Sequence, residues 1–439
     1  GTVSFTYDIT SGIDSGCYAQ RTADPKGNVT EKVYDRAGRL SRVIAGSDAT
    51  TYTYYDNGSR ESVIFHDGSK EVYTYYPDNK VRTLTNEKPD GTVMDSCSYT
   101  YDNAGNQLSK NEIINGAQKG TTTYTYDELN RLLTVTEPGG RITGYTYDAA
   151  GNRLTQTTKQ GDIVTLESYA YDNQNRLTGI TTRDNNVITK ETSYTYDNNG
   201  NQLTTTVKTY NGGTDSSANG GTGGGTAPSV MAETNEYDCH NQLIQTILSD
   251  GTIVSNVYNG EGYRVGKEVN GKLTRYLYEA DQVILETDSA GNQTARNVYG
   301  TNLLLRTVDD TTYHYLYNGH ADVTALLRPD GTIAATYYYD AFGNILESSG
   351  EVDNNIRYSG YQYDEETDRY YLNARMYDPK TARFLQEDTY TGDSNDPLSL
   401  NLYTYCSNNP ILYVDPTGHI LWKLSDLLQE VGGSMKVDE

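Results

Sequence analysis

Tyr194-Thr195-Tyr196-Asp197-Asn198-Asn199-Gly200-Asn201-Gln202-Leu203 is the stretch that decides the fold. Ahead of Asp197, Glu191 to Tyr196 alternates with the period of a strand. Asp197 can accept from backbone N–H groups two residues on and so start a turn. Gly200 supplies a positive φ, as in a type I turn followed by a bulge. Gln202-Leu203-Thr204-Thr205-Thr206-Val207 reads as the returning strand. One unit is therefore a β-hairpin.

The pattern Y-D-x-x-G-N-x-L also begins at Tyr101 and Tyr147. Degenerate copies begin at Tyr34, Tyr55, Tyr126, Tyr171, Tyr237, Tyr258 and Tyr339, weaker ones at Tyr76, Tyr278, Tyr317 and Tyr363. Starts at 34, 55, 76, 101, 126 and 147 lie 21 or 25 residues apart. A lone hairpin is marginal in water, so the copies must stack. Pairs such as Tyr52/Tyr54, Tyr99/Tyr101, Tyr145/Tyr147 and Tyr194/Tyr196 share a strand face, and Thr53, Thr100, Thr146 and Thr195 point the other way. Such tyrosine ladders either pack the sheet or offer a stacking platform to a sugar or a guest polypeptide.

Composition agrees with an all-β chain. Of 439 residues, 42 are Tyr and 42 Gly, against 4 Phe and 1 Trp. Lys+Arg number 35 and Asp+Glu 59, a net charge of −24 that excludes a phosphate-backbone binder. No nucleic-acid partner is expected. No run of 18 apolar residues exists, so no membrane insertion is expected. No signal peptide is visible in this chain. Cys17, Cys97, Cys239 and Cys406 are far apart without C-x-x-C pairing and read as isolated thiols. His66, His240, His314, His320 and His419 are dispersed and are expected on the surface or in turns. G-x-S-x-G, H-E-x-x-H, Walker A and EF-hand patterns are missing. The turn role accounts for the repeated Asp-x-x-Gly-Asn without calcium, so neither metal nor cofactor is expected.

Residues 1–210 read as the hairpin array and 211–229 as a Gly/Ser/Thr-rich flexible loop within one hairpin. The array continues over 230–338, and 339–419 form a specialised C-terminal domain. In 420–439, Ile420, Leu421, Leu424, Leu427, Leu428 and Val431 keep helical spacing, which predicts a short amphipathic tail.

The repeat resembles the YD repeat of the RHS family, shared with teneurins, wall-associated proteins and the C components of insecticidal toxin complexes. Residues 339–419 carry Tyr339-Asp340-Ala341-Phe342-Gly343, Arg375-Met376-Tyr377-Asp378-Pro379, Arg383-Phe384-Leu385, Asn401-Leu402-Tyr403-Thr404-Tyr405, Asn408-Asn409-Pro410 and Tyr413-Val414-Asp415-Pro416-Thr417-Gly418 in order. That order is similar to the RHS-associated core domain. The resemblance implies a spiral sheet forming a partial or complete hollow β-shell, closed at one end by the core domain. It implies a polymorphic-toxin-type scaffold that encapsulates or presents a C-terminal effector polypeptide of its own chain. Residues 420–439 are too short to be that effector. Location is expected to be secreted or at the bacterial cell surface, reached through a secretion system. The alternative is an adhesion or carbohydrate-binding module with a cell-surface or glycan partner.

Many RHS core domains also end in P-x-x-x-x-D-P-x-G-L and cut their own chain after the Leu with two aspartates. Carboxylates held close divide the roles of acid and base. Pro410 to Gly418 matches that signature, which makes Asp415 one candidate and Asp388 the other. Arg383 matches a basic residue near the charge. His419 replaces the Leu, so the bond expected to break is His419–Ile420. The stretch between Asp388 and Asn401 is longer than the family pattern and holds Asp393 and Asp396, either of which could replace Asp388.

Overall fold

The turns of the repeat are built by an aspartate or, as at Asn259 and Asn318, by an asparagine. In the computed structural model, which describes residues 2–214 and 227–424, the Asp197 carboxylate accepts from the backbone N–H groups of Asn199 and Asn201 at 2.9 Å each. Gly200 sits at φ +84°. Asp127 and Asp340 do the same at their own turns. Where glycine is missing, Asn130, Asn175 and Asn241 take the left-handed position, which asparagine tolerates best of the ordinary side chains. The strands Val187–Tyr196 and Gln202–Thr214 then pair antiparallel, with a register shift between Thr195 and Tyr196 where the turn bulges.

Thirty strands, from Ser4–Ile9 to Ile345–Ser349, join in one sheet among the described residues. Each pairs antiparallel with its neighbour in the chain, as at Ile142–Tyr147 with Arg153–Gln160 and at Leu303–Val308 with Thr311–Tyr317. The two end strands do not pair with each other among the described residues, so the sheet is an open spiral. Its late strands return against the early ones. Gly319 donates its N–H to the Tyr99 hydroxyl at 2.7 Å, Asn86 donates to the Tyr317 carbonyl at 3.3 Å, and Arg60 reaches Thr301 at 2.6 Å.

The tyrosines face inward. Tyr52, Tyr73, Tyr99, Tyr124 and Tyr145 are all buried. The second tyrosine of most pairs clamps the preceding hairpin: Tyr126, Tyr147 and Tyr171 donate to the carbonyls of Gln107, Leu132 and Arg153 at 2.7–2.8 Å. A phenylalanine would leave that carbonyl unpaired, which accounts for 42 Tyr against 4 Phe. Outside, threonines pair across strands, as in Thr146–Thr155 and Thr195–Thr204 at 2.7 Å. Inward burial removes the tyrosine ladder as a platform for sugars, the feature on which the adhesion alternative rested.

Ile345–Ser349 pairs with Ile333–Tyr339, so the Tyr339–Asn344 turn belongs to the spiral. The chain then crosses inside. A small antiparallel sheet, Gln362–Asp364, Arg369–Leu372, Arg375–Asp378 and Arg383–Phe384, rests on the turn tips. Asn409 donates to Asn106 at 3.0 Å and to the Asn130 carbonyl at 2.7 Å. Asn408 donates to the Gly151 carbonyl at 2.7 Å, and Tyr403 to that of Gly200 at 2.9 Å. Arg264 of the spiral meets Asp364 at 2.6 Å, and Glu233 meets Arg369 at 2.6 Å. Tyr358, Tyr370, Tyr377, Tyr405 and Phe342 complete the core between plug and spiral.

The strands Gln202–Thr214 and Ser229–Tyr237 pair directly, so the Gly-rich segment links two strands of one hairpin, and most of it lies outside the described residues. Trp422–Lys423 pairs with Tyr413–Val414 as a strand, and Leu424, the last described residue, is helical. Leu427, Leu428 and Val431 lie outside the described residues.

Candidate active site

Asp415 follows the strand Tyr413–Val414 and opens a tight turn. Its Oδ1 accepts from the backbone N–H of His419 at 3.0 Å and from the Thr417 hydroxyl at 3.5 Å. Gly418 closes the turn at φ +76°, and a Cβ there would stand 2.5 Å from the Leu372 carbonyl oxygen and 3.1 Å from the Arg375 nitrogen. Only glycine fits so close to backbone. The turn is held by the neighbouring hairpin: Ala374 donates to the Thr417 carbonyl at 3.3 Å and Asn373 to that of Pro416 at 3.2 Å.

Asp388 arrives from the other side. Its N–H donates to the Leu402 carbonyl at 3.1 Å. Its carboxylate touches the Arg375 guanidinium at 2.6 Å and the His419 imidazole Nδ1 at 2.8 Å. The same Arg375 nitrogen lies 3.8 Å from Asp415, and Arg375 Nε donates to the Gly418 carbonyl. The guanidinium stacks over Phe384 at 3.7 Å. Asp388 and Asp415 thus both face Arg375 and His419.

The cation between them is Arg375, which the sequence reading had only as part of a motif. Arg383, the expected one, donates instead to Asn152 and the Asn175 carbonyl and stacks on Tyr171 and Tyr403. It anchors the plug to the turn tips. Asp393 and Asp396 are occupied in local turns of an exposed loop, accepting from Asn395 and Leu398. His419 was expected as an ordinary turn residue but completes the ring around Asp388. Sequence spacing gave no signal for that contact.

Electrostatics divide the two acids. Burial pushes the Asp415 carboxyl up to about 6, Arg375 pulls against that rise and Asp388 adds to it. Asp388 is ion-paired with Arg375. Below about pH 6, a neutral acid beside an ion-paired carboxylate is an arrangement that general acid–base hydrolysis of a peptide can use. A cleft of about 970 Å³ opens beside the turn, with Arg375, Gln386, Thr417 and His419 on its wall. Ile420 is 45% exposed. Among the described residues no cluster of His, Cys, Asp and Glu could hold a metal ion, and no helix is long and apolar enough to cross a membrane.

A winding sheet of tyrosine-aspartate hairpins, plugged from inside by its own C-terminal segment, defines a YD-shell protein. The chain belongs to the teneurin YD-shell family, whose profile matches residues 80–411. It is 45% identical over 172 residues to the tRNA3(Ser)-specific nuclease WapA of Bacillus spizizenii, covering 38% of this chain and 7% of that protein. It is 44% identical over the same length to the tRNA nuclease WapA of Bacillus subtilis strain 168, again 38% of this chain and 7% of the relative. Among solved structures, the Tc holotoxin pore of Photorhabdus luminescens superposes with a TM-score of 0.65 at 19% identity, over 95% of this chain and 21% of that one. TcdB2-TccC3-TEV superposes with 0.54 at 16% identity, over 95% and 23%. The fold is thus a YD-shell scaffold of toxin-like RHS proteins, and this chain spans only a small part of its relatives' length.

Proposed function

We propose that the chain is the shell segment of a secreted or surface-delivered polymorphic toxin, that it presents a C-terminal effector polypeptide, and that it cuts itself between His419 and Ile420. The observation that carries this reading is the convergence of Asp388 and Asp415, bridged by Arg375, on the turn that holds that bond. Water attacks the His419 carbonyl carbon, and Asp388 takes the water proton. The C–N bond breaks, and protonated Asp415 returns a proton to the Ile420 nitrogen. Arg375 fixes the Gly418 carbonyl next door and offsets the charge on Asp388.

A net charge of −24 suits a carrier better than a surface that touches nucleic acid.

The test is the denatured intact mass of the purified chain, followed over days at pH 5 to 6. Loss of residues 420–439 is expected, with Asp388→Asn and Asp415→Asn remaining whole. A wild-type chain that stays at full mass overturns self-cleavage.

A further inference from the structure

Where the late strands return against the early wall they close a cavity of about 140 Å³, and none of its lining comes from residues 375–419. Strand register lays its floor. Asn86 stands opposite Asp95, and two positions along the strand Leu84 stands opposite Cys97 and Cys97 opposite Glu112, so these side chains share one face. Tyr317 and Tyr338 of the returning strands form the roof.

The cavity is short of donors. Asn86 is 2% exposed, and its Nδ2 donates to the Tyr317 carbonyl, but its Oδ1 has no partner. Asp95 is buried and accepts from the backbone N–H of Asn115 at 2.8 Å. Burial pushes its carboxyl up, the Asn115 bond pulls against that rise and Glu112 adds to it. Glu112, also buried, meets the Lys110 ammonium at 2.9 Å and the Tyr338 hydroxyl at 3.5 Å. Asp322, at the edge of the lining, is filled by His320, Asn318 and the Ser359 N–H. Two buried carboxylates and an orphaned amide oxygen thus share one buried ammonium. Water can satisfy the amide oxygen but cannot supply the missing charge. The mouth favours positive charge. Lys119 lies 4.6 Å from the Tyr338 ring centroid and pairs with Glu347, whose side chain is 66% exposed, and Lys110 lies 5.4 Å from the same ring.

We propose that this cavity binds a small organic cation, an alkylammonium or guanidinium ion of about five non-hydrogen atoms, with the Asn86 amide oxygen and the Asp95 carboxylate as its acceptors. Its floor belongs to the early wall and its roof to the returning strands, so an occupant ties the two walls together and stabilises the spiral. The site shares no residue with the Asp388–Asp415 centre, and the failure of either reading leaves the other standing.

The test is calorimetric titration of the purified full chain at pH 7 with n-butylammonium and with methylguanidinium, and with n-butanol as the neutral control. At least one cation should bind as a single ion per chain with a Kd below about 1 mM, and at saturation it should raise the melting temperature by about 1–3 °C. The alcohol should do neither. Asp95→Asn keeps the shape and removes the charge, and it should weaken binding by about tenfold or more. No binding of either cation, equal binding of n-butanol, or an affinity unchanged in Asp95→Asn overturns the site. If Asp95→Asn loses its far-ultraviolet dichroism, Asn86→Leu must show the loss of affinity with the fold intact, or the proposal falls.

Discussion

Replacing Asp364 by Asn tests how the plug is bound to the spiral. Arg264 is gripped by both carboxylate oxygens of Asp364, at 2.6 and 3.0 Å, and Lys267 adds a third contact at 3.0 Å. The Arg264 and Asp364 side chains are 1% and 4% exposed. Losing the carboxylate leaves the buried Arg264 without its counter-charge, while Lys267 keeps Glu366 at 2.5 Å, a loss of about 3–5 kcal/mol at pH 7. The acid limb gives an independent figure. Burial alone would raise the Asp364 carboxyl, but Arg264 and Lys267 outweigh it and hold it at about 2 against an ordinary 3.8. That gap is worth roughly 2.5 kcal/mol. Because the folded value is depressed, this stability is complete above about pH 4 and drains away as the pH falls from 4 through 2. Urea midpoints of parent and Asp364→Asn at pH 7, 4 and 2.5 should differ most at pH 7 and converge at pH 2.5. A variant within about 0.5 kcal/mol of the parent at pH 7, or one with an unchanged acid limb, would refute this account of the junction.

Asp415→Asn should stabilise the fold at pH 7 by about 1–3 kcal/mol in urea, because the unfolded carboxyl ionises near 3.8 and the folded one near 6, so rising pH through that window costs the parent stability; a lower urea midpoint contradicts it. The same protonation requires self-cleavage to slow above about pH 6, read as the pH profile of the cut. Gly58 and Gly200 both sit at positive φ, but a Cβ at Gly58 meets open space whereas one at Gly200 collides with the Tyr403 hydroxyl and Glu387. Gly58→Ala should cost about 1–2 kcal/mol and Gly200→Ala distinctly more; equal thermal shifts would show that the turn tip does not carry the plug. Tyr147→Phe should cost about 1–3 kcal/mol by stranding the Leu132 carbonyl, and outward Thr146→Val less than about 0.5 in the same melting assay.

The hairpins were legible because their chemistry is local: Asp197, Gly200 and the alternating strands act within about ten residues of one another. The direction of the tyrosines was not, since alternation shows that Tyr194 and Tyr196 share a face but not which face is buried. The plug was legible as a motif block and illegible as a docking event. Asn409 finds Asn106 across 303 positions, and no local pattern encodes such a pairing. The same limit explains Arg383 and Arg375. The motif match favoured Arg383, but the hairpin through Asn373 swings Arg375 between the two aspartates, while Arg383 points to the turn tips.

The central claim is that the C-terminal segment is an integral plug of the spiral, docked on the Asp-x-x-Gly-Asn tips. Hydrogen exchange read by mass spectrometry, peptide by peptide on the full chain, tests it most directly. Peptides over 361–388 and 401–418 should exchange as slowly as those over 142–196 and open together with them. Plug peptides that exchange fully while the hairpin strands stay protected would contradict it.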